Sequence, residues 1–159
     1  MLPYLWRFVA AVLLLKLIKH PPASAPEGMV FQLYKEYAWE AVLTGGPDGL
    51  MQQPREVLES YFDTNLASLI LKDRACVKKR REICKLDFDP IWASQDPSAG
   101  DLNVEKTKNE NIVKVQFRYP STDERIELLY RLTKTSKGWR ISDISSKQWS
   151  LLAILSSKE

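Results

Sequence analysis

The sequence predicts an α+β fold, in which N-terminal helices pack on a curved four-stranded antiparallel sheet. Three observations lead to this prediction. Residues 30–72 carry apolar side chains at helical spacing, residues 102–144 alternate apolar and polar side chains, and the glycine-rich segment 45–49 interrupts the helical part. Because the strands follow the helices instead of alternating with them, the pattern indicates α+β and not a parallel α/β fold.

The first helix is expected at Val30–Leu43, where an apolar stripe ends at the Gly-Gly-Pro segment. A second helix is expected to begin near Pro54, which suits a first helical turn. A third, Asn65–Lys72, follows after a short break at Asp63-Thr64. A short final helix at Trp149–Leu155 would cap the sheet.

Four strands of period two account for the C-terminal half of the chain. Polar segments at 108–110, 120–124 and 135–138 separate them, and each suits a hairpin. The apolar residues that define the strands are Leu102 and Val104, then Ile112 to Tyr119, then Ile126 to Leu132, then Trp139, Ile141 and Ile144.

The N-terminus, residues 1–25, has the order of a secretory signal. Arg7 precedes an unbroken apolar run, Phe8–Leu15, and Ala23-Ser24-Ala25 has the small-x-small form of a cleavage site. The run is too short to span about 30 Å of hydrocarbon as a helix. We therefore expect a periplasmic domain at 26–159, with membrane contact only through the N-terminal segment if it is uncleaved. The alternative is a hydrophobic arm that stays on the chain.

Loss of this segment would change the charge of the protein. The chain has 23 basic and 20 acidic residues, and removal of Arg7, Lys16 and Lys19 leaves 20 of each. A neutral domain lacks the electrostatic footprint of a nucleic-acid binder. The only histidine, His20, would be lost too, so no Ser-His-Asp or Cys-His site could form. We expect no catalysis, no cofactor and no nucleic-acid partner.

Cys76 and Cys84 are the only cysteines. In an oxidising compartment they favour a disulfide, the alternative being two unpaired thiols. One unbroken helix between them would place the Cα atoms about 12 Å apart, which exceeds the roughly 7 Å limit for a bridge. The disulfide therefore requires the helix to end or bend between them. Two cysteines without histidine also fall short of a zinc site. The basic run Lys78–Arg81 between them is interpreted as a solvated turn, the alternative being an anion-binding patch.

The segment Leu86–Asp96 fits neither a helix nor a strand, and it concentrates acidic and aromatic residues. Its aspartates lack the EF-hand pattern, so we expect no metal site there. Asp87 and Asp89 are expected to accept backbone N–H bonds in a turn before Pro90. Ile91 and Trp92 would then fasten the loop to the core. The residues that we expect at a binding surface are Asp87, Asp89, Ile91, Trp92, Gln95, Asp96 and Trp149.

Two further patterns leave alternatives open. Glu36 and Glu40 lie one helical turn apart and would form a glycosidase-like carboxylate pair if Asp89 approached them, although such pairs are usually surface charges. Several aromatic residues would either line a ligand cavity in the concave face of the sheet or simply fill it. They are Tyr34, Tyr37, Trp39, Tyr61, Trp92, Trp139 and Trp149.

The motifs of the chain resemble those of a family of small exported bacterial proteins of NTF2-like (cystatin-like) type, a domain of unknown function. The shared features are the D-x-DP…QD loop at 87–96, the strand Gly138–Ile144 with the form G-W-x-I-x-D-I, an aromatic N-terminal helix and a leucine-rich ending. The resemblance implies an NTF2-like cone in the cell envelope.

Broadly similar periplasmic proteins include immunity proteins that act against cell-wall amidases of type VI secretion. The resemblance therefore implies a protein-binding role, in which the Leu86–Asp96 loop or the exposed sheet face would plug a hydrolase. The alternative is a small-ligand carrier that uses an aromatic pocket.

Overall fold

An open four-stranded antiparallel sheet and the helices packed on it make up the described chain, which confirms the α+β class. The structure is a computed structural model that describes residues 22, 24–43 and 46–158. The signal-like segment 1–25 lies outside the described residues, apart from 22, 24 and 25. The helices are α1 (Pro26–Tyr37), α2 (Arg55–Tyr61), α3 (Thr64–Arg80) and α4 (Leu151–Ser156), with 3-10 turns at Ala38–Ala41 and Leu50–Gln52.

The strands follow one another in the sheet in the order of the chain. They are β1 (Gly100–Lys106), β2 (Ile112–Arg118), β3 (Arg125–Thr135) and β4 (Gly138–Ser145), and each pairs antiparallel with the next. The period of two buries alternate side chains against the helices. The inward residues are Val113, Val115, Phe117, Leu128, Tyr130, Leu132, Ile141 and Ile144.

A bulge explains the irregular spacing of the apolar residues in β4. Leu132 pairs with Ile141, but the preceding Arg131 pairs with Asp143, so that Ser142 is an extra residue in β4. The extra residue lets both Ile141 and Ile144 face the core, although they are three positions apart.

The first helix begins and ends earlier than the sequence predicts. Pro26 occupies the first turn of α1, where its missing N–H costs no hydrogen bond. After Tyr37 the backbone tightens, and Val42 N donates to Trp39 O, three residues back, at 3.1 Å. The predicted helix Val30–Leu43 is therefore an α-helix followed by a 3-10 turn.

The predicted break between the second and third helices is confirmed. Phe62 has extended backbone angles, and Asp63 N donates to Ile141 O of β4 at 2.9 Å. The Asp63 carboxylate then accepts a hydrogen bond from Leu66 N at 2.7 Å, which caps the start of α3.

The Cys76–Cys84 disulfide is present, as predicted. Helix α3 ends at Arg80, and Arg81 adopts a left-handed conformation with φ of 59°. This turn brings the two Cα atoms to 6.2 Å. Lys78–Arg80 lie in the last helical turn and not in a loop, where their charge suits the negative end of the helix dipole.

Helix α4 begins two residues later than predicted. Ser150 caps this helix through a bond from Ala153 N at 3.1 Å. The buried carboxylate of Asp143 joins α4 to β4, because it accepts from Leu152 N at 2.9 Å and from Ser150 Oγ at 2.8 Å. Within the described ranges, no helix has the length and apolar character that crossing a membrane requires.

Candidate functional site: a groove beside the Leu86–Asp96 loop

The Leu86–Asp96 loop is held in a tight turn by its own backbone. Asp89 and Ser94 exchange two backbone hydrogen bonds, of 2.8 and 3.3 Å. Ala93 lies between them with φ of 52°, a conformation that non-glycine residues seldom adopt. Tyr119 Oη lies within hydrogen-bonding distance of two loop carbonyls and donates to Trp92 O at 2.9 Å or to Ala93 O at 2.8 Å. The loop is therefore a fixed part of the fold.

Two apolar side chains fasten the loop to the core, as the sequence suggests. Ile91 is 0% exposed and Trp92 is 2% exposed. Both were expected at a binding surface, yet the structure places neither of them where a partner could touch it. The buried side chains of Ile91 and Trp92 contribute to a binding surface by holding the loop in place.

Asp89 turns its carboxylate back into the loop. Its Oδ1 atom accepts a hydrogen bond from Ile91 N at 3.0 Å, the backbone bond expected for this aspartate. Burial, followed by the negative charge of Glu40, raises the pKa of Asp89 to about 8. The raised pKa favours the protonated form of Asp89, whose side chain lies within hydrogen-bonding reach of Glu40.

Glu40 ties three segments of the chain together. Its Oε1 atom accepts from Leu50 N at 2.6 Å, and its Oε2 atom accepts from Trp92 Nε1 at 2.9 Å. Gly49 allows this close approach, because a Cβ at that position would lie 2.4 Å from Glu40 Oε1. The sequence left open an approach of Asp89 to the helical pair Glu36 and Glu40, and in the structure Asp89 lies beside Glu40. Glu36 lies apart from it and accepts from the hydroxyl of Tyr61.

The aromatic side chains behind this pair fill the interior. Tyr34, Tyr37, Tyr61 and Trp92 are buried, and the rings of Tyr34 and Trp92 meet edge to face at 5.1 Å. Tyr34 Oη lies 2.6 Å from Ile91 O and 2.8 Å from the hydroxyl of Tyr130. Burial raises the pKa of both Tyr34 and Tyr130, so both are neutral hydrogen-bonding groups at any physiological pH.

Glu40 and Asp89 face an open groove of about 960 Å³. It is lined by residues of helix α3, by Ile83 of the disulfide loop, by residues of 39–43 and 46–52, and by the Leu86–Asp96 loop. Three exposed apolar side chains stand at its edges, namely Leu43 (57% exposed), Val77 (37%) and Ile83 (65%). We call these three residues the apolar rim.

Negative charge predominates in the groove. Its acidic residues are Glu40, Asp73, Asp87 and Asp89, and its basic residues are Arg74 and Lys78. The Asp73 carboxylate accepts from Lys85 N at 3.0 Å, and Arg74 donates to Gln53 O at 2.6 Å. Among the described residues, no three His, Cys, Asp or Glu side chains converge to hold a metal ion.

The structure brings together only some of the residues expected at a binding surface. Asp87, Asp89 and Gln95 all line the groove, and Gln95 Nε2 lies 3.4 Å from Asp87 Oδ2. Asp96 is exposed beside it and bonds to Ser94 through its backbone. Trp149 does not line the groove, but it packs edge to face, at 4.9 Å, on Phe88, a loop residue that does.

Sequence reasoning did not anticipate the apolar rim. Leu43 ends the helical stripe next to the Gly-Gly pair, and Ile83 is the only apolar residue between the basic run and Cys84. An isolated apolar residue such as Ile83, inside a charged segment closed by a disulfide, has few core residues to pack against. This isolation was the sequence feature from which its exposure could have been predicted.

Comparison with known proteins gives two structural similarities. One is to a chain of the type VI native effector-immunity complex Tae3-Tai3 from Ralstonia pickettii, with a TM-score of 0.52 and 16% identity over 79% of this chain and 97% of that chain. The other is to a protein of unknown function from Bacteroides thetaiotaomicron, with a TM-score of 0.45 and 20% identity over 74% and 86%. No protein-family model and no curated protein matches the sequence. The similarity to the Ralstonia pickettii chain is one of fold.

Proposed function

We propose that this protein is a non-catalytic immunity protein of the bacterial periplasm, which binds a secreted cell-wall hydrolase and blocks its active cleft. The observation that carries the proposal is the apolar rim of the groove. Exposed apolar side chains gathered around one concave surface are a common mark of protein-binding sites. The similar fold in an effector-immunity complex supports the same role.

The chemistry of the groove favours binding over catalysis. Both carboxylate oxygens of Glu40 accept structural hydrogen bonds, from Leu50 N and Trp92 Nε1, and Asp89 Oδ1 accepts from Ile91 N. Burial and the neighbouring carboxylate of Glu40 are enough to account for the raised pKa of Asp89. This structural explanation supports binding over catalysis.

Periplasmic location is part of the proposal. The Cys76–Cys84 disulfide is compatible with export, because disulfides persist in oxidising compartments. The NTF2-like assignment rests on the sequence resemblance and the secretory signal on the order of residues 1–25, and both enter the proposal on that basis.

The proposal is tested by capture and inhibition. The oxidised protein is immobilised, exposed to an envelope extract of its native host, and the retained proteins are identified by mass spectrometry. We expect one cell-wall hydrolase, retained at 1:1 stoichiometry and inhibited by one equivalent of the protein. Capture of no hydrolase, or capture without inhibition, would contradict the proposal.

Two matched variants locate the binding surface. Ile83→Lys places a charge on the apolar rim, and Leu129→Lys places the same charge on an apolar residue of the outer sheet face that is 39% exposed. We expect Ile83→Lys to weaken inhibition at least tenfold and Leu129→Lys to leave it unchanged. The reverse result would assign binding to the sheet face.

A small-ligand carrier remains the second candidate, and the size of the groove favours it. About 960 Å³ lies within the range of ligand sites, which usually combine apolar walls with a few convergent polar groups. The ligand would lie in the groove, since the aromatic interior is filled. Native mass spectrometry of protein purified from its host would reveal a bound small molecule if this candidate is correct.

A further inference from the structure

The geometry points to a seat for a basic side chain of the partner, an arginine or a lysine, at the paired carboxyl groups of Glu40 and Asp89. This inference rests on the proposed function, because it identifies what a protein partner would insert into the groove. The partner would present the basic residue on a protruding loop, so that its cationic end reaches the carboxyl pair and its stem packs between the residues of the apolar rim.

The first argument is position. Glu40 and Asp89 come from distant parts of the chain, yet both face the same groove. Each is fixed by bonds to neighbouring backbone or indole groups, at 2.6 to 3.0 Å. A pair of carboxyl groups held in this way needs no rearrangement to receive a ligand, and preorganisation of this kind favours binding.

The second argument is charge complementarity. Every ionisable side chain that lines the groove has been named above: four acidic and two basic. Lys78 and Arg74 belong to α3, and Arg74 already donates to Gln53 O. Among the described residues, neither of these basic side chains forms a salt bridge with Glu40 or Asp89, and a cation from outside would supply a positive charge there.

The third argument concerns the shape of the cation. A guanidinium group presents several N–H donors in one plane and can donate to two carboxylates at once. It would take the place of the proton that the raised pKa favours on Asp89. The apolar methylene stem of the same side chain suits the rim of Leu43, Val77 and Ile83.

Replacement of this proton makes binding depend on pH. Below the folded pKa of Asp89, one proton leaves as one cation binds, so the affinity rises about tenfold for each pH unit. Above that pKa no proton is displaced, and the affinity levels off. Since the pKa of Asp89 is raised to about 8, we expect the rise between pH 6 and pH 8.

The test uses N-acetyl-arginine methylamide as the probe and the neutral isostere N-acetyl-citrulline methylamide as its control. The readout is the NMR signal of the Trp92 indole N–H, which donates to Glu40 Oε2 and so reports on the pair directly. Its assignment follows from its loss in Trp92→Phe. We expect the arginine probe to shift this signal in the oxidised protein, with an affinity that increases about tenfold per pH unit from pH 6 to pH 8, and the citrulline probe to leave it unchanged.

Matched variants complete the test. Asp89→Asn keeps an oxygen for Ile91 N but removes the second charge, so we expect at least tenfold weaker probe binding and no pH dependence. Glu127→Gln makes the same chemical change on the outer sheet face and should bind the probe like the unaltered protein. If Asp89→Asn unfolds, Glu40→Gln replaces it, with the same expected loss.

The outcomes separate this inference from the proposed function. An equal response of the Trp92 signal to the arginine and citrulline probes would overturn the basic-side-chain seat, even if the protein still inhibits a hydrolase through the rim. A parallel titration with Ca²⁺ that gives a stronger response than the arginine probe would overturn it as well. A pH-dependent response to the arginine probe supports the seat even where no hydrolase is captured, and in that case the immunity function alone fails.

Discussion

The outer face of the sheet and the groove differ in how they neutralise charge. On the sheet, Lys114 Nζ lies 2.5 Å from Glu105 Oε1, and Gln116 Nε2 donates to Glu127 at 3.1 Å. In the groove, by contrast, Asp89 faces another carboxyl group, and three apolar side chains stand exposed around the pair. A surface whose charges are satisfied within the chain gains little from a partner. A surface where two carboxyl groups lie side by side and apolar groups are exposed gains much more, and for this reason the groove is the stronger candidate.

The largest difference between the two regions should appear when one apolar side chain is truncated in each. Trp92→Ala removes a buried anchor of the groove, and such changes typically cost about 3–5 kcal/mol of unfolding free energy. Leu129→Ala, on the outer face, should cost only about 0.5 kcal/mol. Urea denaturation of both variants measures these values. Near-neutral stability of Trp92→Ala would show that the loop is not fastened by this side chain.

The disulfide is expected to have the next largest effect, because it fixes the segment that carries Ile83. The double variant Cys76→Ala/Cys84→Ala should lose about 2–4 kcal/mol of stability relative to the oxidised protein. Thermal unfolding with and without a reductant checks this. In reductant the two proteins should unfold at similar temperatures, and a difference that persists there would have to come from the alanines themselves.

The carboxyl pair should give the groove a pH dependence that the sheet face lacks. The pKa of Asp89 is raised from 3.8 to about 8, so the folded protein holds a proton that the unfolded chain releases above about pH 4. The contribution of Asp89 to stability is therefore fully present below pH 4 and is lost as pH rises towards 8. Asp89→Asn should remove this decline and should be most stabilising, relative to the original protein, at pH 8.

Denaturation curves at several pH values between 4 and 9 measure that effect, and Glu127→Gln serves as the control on the sheet. The control should keep the pH dependence of the original protein. If Asp89→Asn showed the same decline between pH 4 and pH 8, another group would be responsible for it.

The smallest effect is expected on the outer face. Lys114→Ala breaks an exposed ion pair with Glu105, and such pairs contribute little to stability. The loss should shrink further at high salt, because mobile ions screen exposed charges. A loss in urea denaturation as large as that of the disulfide variant would mean that the sheet face contributes more to stability than its exposure suggests.

The regular part of the fold could be predicted from local patterns. Period-two alternation predicted all four strands. The interruption of the helices at Asp63, and the need for α3 to end before Cys84, followed from simple geometry. The groove could not be predicted in this way, because it depends on a contact between Glu40 and Asp89, which are 49 positions apart in the sequence. The pairing was suggested as one alternative only. The burial of Ile91 and Trp92 shows the same limit, since a loop residue can be read equally as an anchor or as a contact.

The groove is complete only after the Cys76–Cys84 disulfide has formed. Helix α3 ends at Arg80, and Ile83 stands on the short segment that the two sulfurs close. Before oxidation this part of the rim keeps the bond from Lys85 N to Asp73 of α3 but lacks the covalent closure. Maturation of the binding surface is thereby linked to disulfide formation. A copy of the protein held in a reducing compartment would carry the carboxyl pair without the closed segment that holds Ile83.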